Sequence, residues 1–157
     1  MTHPGVRVVL IAAAFAGACT PAQQLHTHGA ASPAQDQRVE VQFPPYLREH
    51  TLANMRDHLA TLQEIQAALA AGKFDQAADI SERRLGMSSL AAHGAHDVAK
   101  YMPQGMQDVG SAMHRSASRF AVAAQNSAAT NDVKPALAAL AEVTANCVAC
   151  HAAYRLK

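Results

Sequence analysis

Leu137-Ala138-Ala139-Leu140-Ala141-Glu142-Val143-Thr144-Ala145-Asn146-Cys147-Val148-Ala149-Cys150-His151 reads as a helix that ends in a chemical signature. Leu137, Leu140, Thr144, Cys147 and His151 recur at spacings of three and four, which places them on one side of that helix. A capping cluster, Thr130-Asn131-Asp132, precedes it, and Pro135 falls in its first turn. Cys147, Cys150 and His151 stand at i, i+3 and i+4 and so project from one face. Cys-x-x-Cys-His is the attachment signature of c-type haem: the thiols add across the vinyl groups, and the adjacent imidazole takes an axial position on iron. A zinc site would want a second close cysteine pair, and the sequence has none. A thioredoxin-like redox motif would want a βαβ setting, whereas the surroundings are Ala-rich and helical.

Three more helical segments precede this one. The first begins at Pro44-Pro45 and runs to about Ala71 before Gly72, with an expected apolar face of Leu52, Met55, Leu59, Leu62, Gln66 and Leu69. The second is expected from Phe74 to Ala92, stopped by His93-Gly94. The third follows Tyr101-Met102-Pro103 and reaches about Gln125, with Gly105 and Gly110 weakening its first turns. No segment shows period-two alternation. The expected fold is all-α: an antiparallel four-helix bundle carrying one covalently attached haem, over residues 44–157. The haem is expected against the bundle interior near one end.

Composition agrees with close-packed helices. Hydrophobic residues make up 50% of the chain, but aromatics only 4%, and Trp is absent. Such a core is thin and gains from a large apolar cofactor. Ala, Leu, Gln, Glu, Arg and Met dominate positions 46–92, all good helix formers. The formal net charge is +1, with no basic run and no aromatic stacking platform, so nucleic acid is not an expected partner. No Gly-rich phosphate loop, H-E-x-x-H or G-x-S-x-G occurs, and enzyme activity is not expected.

The N-terminus reads as an export signal over residues 1–18. Arg7 precedes an apolar stretch from Val8 to Ala18 that is too short to span a membrane. Ala16-x-Ala18 suits signal peptidase, while Gly17-Ala18-Cys19 resembles the end of a bacterial lipobox, which would make Cys19 a lipid anchor. Residues 19–43 are expected to be a flexible linker or lipoprotein tether. Both processing routes put the mature chain in the periplasm, free or membrane-tethered.

Cys147-Val148-Ala149-Cys150-His151-Ala152-Ala153-Tyr154-Arg155 resembles the C-terminal ending of the cytochrome c′ family, the class II c-type cytochromes. Leu47-Arg48-Glu49-His50-Thr51-Leu52-Ala53-Asn54-Met55 is similar to that family's first-helix segment, with Leu47 in the place of its usual aromatic and Glu49 in that of its Gln. The resemblance implies that His151 is the proximal iron ligand, that Leu52 covers the distal haem face, and that Arg155 lies beside the haem on the proximal side. It also implies redox partner proteins, and a homodimer formed through the first two helices.

Function then turns on the sixth coordination position. Met55 lies one turn from Leu52 and is the candidate ligand for a low-spin electron carrier. The alternative is a five-coordinate cytochrome that binds NO or CO beneath Leu52. His50, His58, His93, His96 and His114 are further ligand candidates that no spacing singles out. Met87, Met102, Met106 and Met113 are expected to fill gaps in the core, and Arg83-Arg84 to form a solvated face.

Overall fold

A proline in the first turn starts a helix at no cost, because its missing N–H would have had no intrahelical partner. Pro45 does this for α1, which spans Pro45–Ala70 in the computed structural model of the chain, where residues 35–157 are described. Gly72 ends α1 at φ 69°, a left-handed position that favours glycine, and the Lys73 N–H returns to the Ala68 carbonyl at 2.9 Å. The expected signal peptide and Cys19 anchor lie outside the described residues.

Helix α2 covers Phe74–Arg84, with Asp75 in its first turn and Arg83 and Arg84 in its last, both favourable to the helix dipole. It stops well short of the expected Ala92. The Gly86 N–H bonds the Ser81 carbonyl at 2.8 Å, and the Ser88 hydroxyl and N–H both engage the Glu82 carboxylate. A side chain at Gly86 would run into Glu82, so Gly86 rather than Gly94 closes the helix. A 3₁₀ turn at Met87–Ser89 and the short helix α3, Ala95–Ala99, follow.

Helix α4 spans Gln104–Thr130 and ends on Asn131 at φ 54°. Helix α5 spans Lys134–Ala153, its first free N–H taken by the Asp132 side chain at 3.0 Å. Two short strands, β1 (Val39–Val41) and β2 (Tyr154–Leu156), pair in parallel, with Val39 opposite Tyr154 and Val41 opposite Leu156. No strand was expected here, and residues 36–43 belong to the compact unit Asp36–Lys157 rather than to a linker.

The chain is thus a mostly helical bundle. Helix α1 packs on α2, α2 on α4 and α4 on α5, and no comparable interface joins α5 back to α1. Small residues, among them Ala77, Ala117, Ala124 and Ala136, bring the helices close around Phe74, Phe120, Leu85 and Val143. The Ser81 hydroxyl crosses from α2 to the Ala117 carbonyl of α4 at 3.0 Å, which satisfies a buried polar group.

The buried face of α1 is not the expected one. It carries Leu47, Thr51, His58, Thr61, Ile65, Ala68 and Leu69, while Leu59 is 71% exposed and Leu52, Met55 and Leu62 are half-buried. Polar residues turn inward here; Thr61 is accommodated because its hydroxyl bonds the Asp57 carbonyl one turn back, at 2.7 Å. On α5 the buried residues are Ala136, Leu140 and Val143, and Leu137 faces out.

Phe120 is the largest fully buried side chain of the core. Phe120→Ala is expected to cost about 3–5 kcal/mol of stability. Guanidinium unfolding checks it: the midpoint should fall with little change in slope.

Candidate functional site

The C-terminal signature is carried on regular helix to Ala153, so Cys147, Cys150 and His151 do share one face of α5. Both cysteines are half-buried free thiols, and burial pushes both up from the ordinary thiol range. They are therefore protonated, unlike the depressed thiols of zinc or thioredoxin-type sites. The Cys147 Sγ–H points to the Val143 carbonyl at 3.4 Å, and Cys147 packs at the edge of the core. His151 is exposed.

Helix α5 is long and apolar enough to cross a membrane by length and composition, yet only 17% of its most apolar stretch is buried. Leu137 and Val148 are exposed along it. A helix that packs α4 on one side and leaves so much apolar surface uncovered beside two cysteines fits a large apolar group held by those thiols. The donor set fits haem as well: two thiols and an adjacent imidazole.

Beyond Ala153 the backbone turns extended at Tyr154, so Arg155 lies in β2 and not on the helix. The Tyr154 hydroxyl occupies the space that a side chain at Gly105 of α4 would need. That contact accounts for a glycine which otherwise weakens α4. Arg155 is committed to the β1 side of the sheet, 2.7 Å from Glu40 and 3.4 Å from Asp36 without hydrogen-bond geometry to the latter. Hydrogen bonds from the Arg38 side chain and backbone hold Asp36 down at about 2. Arg48, near the start of α1, donates to the Lys157 carbonyl and ties the chain end to α1.

Leu52 and Met55 stand one turn apart on α1, both half-buried beside the inward stripe. The structure thus groups the three signature residues on α5 and, separately, Leu52 with Met55 on α1. Met106 and Met113 fill the core as expected, whereas Met87 is 42% exposed. Arg84 is no freely solvated charge, because it bridges Asp57 and Glu64 across α1 and α2.

Three histidines that look scattered in the sequence meet in space. His58 of α1, His93 of the connection before α3 and His114 of α4 have ring centroids 4.7 Å (58–93), 5.3 Å (93–114) and 6.3 Å (58–114) apart. The His114 Nδ1 donates to the Leu85 carbonyl at 2.8 Å, since a carbonyl can only accept; its Nε2 is left as the bare nitrogen. The Ser89 hydroxyl donates to the Gly86 carbonyl, so at 3.4 Å it can only accept from His93 Nδ1. The Nε2 of His58 is buried with no hydrogen-bond partner. Burial, followed by the two neighbouring rings, depresses His58 to about 4; burial also lowers His93 and His114. All three are neutral at pH 7. Among the described residues, no three His, Cys, Asp or Glu side chains already form a metal site. Spacing in the sequence could not reveal this trio, because it joins three elements through tertiary packing.

Compared with protein-family models, curated proteins and solved structures, the chain matches none.

Proposed function

We propose that the chain is a monohaem c-type cytochrome, built as an antiparallel four-helix bundle, that carries single electrons in the periplasm. The observation that carries this reading is the union on α5 of Cys147-x-x-Cys150-His151 with an apolar surface that the other described residues leave largely uncovered. Cys147 and Cys150 would hold the haem covalently, and His151, on the same helix face, would give an imidazole nitrogen to its iron. Bound there, haem supplies a reversible one-electron change at its iron. Met55 would supply a thioether as the second protein ligand to the iron, with Leu52 one turn away on α1 to exclude water. Redox partner proteins are the expected company, and an export signal with either a free or a Cys19-anchored N-terminus belongs to the same reading.

Absorption spectra of the ferrous protein, with and without CO, test the reading. A sharp low-spin α-band indifferent to CO is expected. Met55→Ala should convert it to a broad high-spin spectrum that shifts on CO addition. A parent protein that is already high-spin and CO-reactive would instead make it a gas binder, with Leu52 over an open position. A colourless parent would end the haem reading altogether.

A further inference from the structure

We propose that His58, His93 and His114 bind one late first-row transition-metal ion of the zinc or copper class, at a site separate from the haem signature. Imidazole nitrogen is the donor these ions favour, and it ligates in its neutral form. Rings that share one metal at the zinc–nitrogen distance of about 2.0–2.1 Å, spread tetrahedrally, have centroids about 5 Å apart. The observed separations of 4.7, 5.3 and 6.3 Å bracket that figure.

Two further observations point the same way. Ligating histidines characteristically donate their other ring N–H to a carbonyl or similar acceptor, which fixes the tautomer. His114 does this to the Leu85 carbonyl, and His93 is disposed likewise toward Ser89. His58 presents a buried Nε2 with no partner, an arrangement that leaves a polar nitrogen unsatisfied unless something coordinates it. The nearby Asp57 carboxylate is taken by Arg84, so the donor set is three imidazoles. Three imidazoles leave a fourth position for water or a small ligand, as catalytic zinc sites do.

The test is isothermal titration of Zn²⁺, and separately Cu²⁺, into the holoprotein made without a histidine tag, in a His26→Ala/His28→Ala background that removes the pair in the N-terminal segment. One equivalent is expected to bind. His114→Asn keeps a donor for the Leu85 carbonyl but removes the ligating nitrogen, and His58→Ala removes the unpartnered ring; each should weaken binding about 100-fold or more. The exposed His96→Ala should leave it unchanged, and circular dichroism verifies that each variant is folded. The proposal is overturned by the absence of one-equivalent binding, by binding that survives both folded ligand variants, or by a His58→Ala variant whose haem spectrum changes because that ring serves the haem iron. The haem reading stands or falls on colour and the CO response, so the two failures are distinguishable.

Discussion

A Cys147→Ala/Cys150→Ala double variant, expressed in a bacterial host that exports the chain and attaches c-type haem, is expected to give no haem stain on a denaturing gel while the parent stains strongly. The loss is complete because both covalent links to the haem are removed together. Each single variant keeps one thiol and should retain a weaker stain, which separates the role of the two sulfurs from a general failure to mature. A second consequence follows from packing. Helix α5 has only Ala136, Leu140 and Val143 buried, so on the proposed reading the residues around the signature would rely on the haem for cover. The double variant should therefore bind a hydrophobic dye that the parent excludes, with a lowered melting temperature. Equal staining of parent and double variant would sink the covalent assignment.

Acidification is expected to destabilise the fold sharply between pH 6.5 and 4, measured in the presence of a chelator. His58 is buried and its folded value falls to about 4, against 6.5 for a free imidazole. A base whose folded pKa is depressed binds protons more readily when unfolded, so its stability is fully present above pH 6.5. It is lost as pH falls toward the folded value. That difference corresponds to roughly 3 kcal/mol for His58 alone. His93 and His114 are shifted in the same direction and add to the loss. Asp57 is also lowered, chiefly by the Arg84 hydrogen bond, but a carboxylate acts at lower pH and leaves this window to the imidazoles. Guanidinium midpoints at pH 7.5 and 4.5 should differ accordingly, and His58→Asn should flatten the dependence. A parent whose midpoint is the same at both values would mean that the rings are not buried together in solution.

Much of the fold was legible from local chemistry. Pro45, Gly72, Pro103, Asn131 and Pro135 punctuate the chain, and their constraints on φ act within a turn or two, so three of the four long helices fall close to expectation. What failed was the reading of faces. The inward side of α1 holds Thr51, His58 and Thr61, and a hydrophobicity pattern is blind to polar groups that find partners, or await them, inside a bundle. The early end of α2 depends on Glu82 meeting Ser88, and the glycine at 105 on a tyrosine forty-nine positions away in sequence. The signature residues were readable because their spacing is short. The histidine trio was not, because its members come from three elements and meet only through tertiary packing.

The pairing of Val39–Val41 with Tyr154–Leu156 also dictates an order of assembly. Strand β2 follows α5 directly, so β1 stays unpaired until Tyr154, its partner far downstream of Val39, has been made. The entropy of closing so long a loop makes this contact a late one and among the first to be surrendered. Opening it would free the end of α5 without disturbing Phe120 and its neighbours. On the proposed haem reading, the end of α5 that bears the two thiols would then stay open to haem attachment in a molecule whose interior has already set, with the sheet as the clasp that shuts behind it.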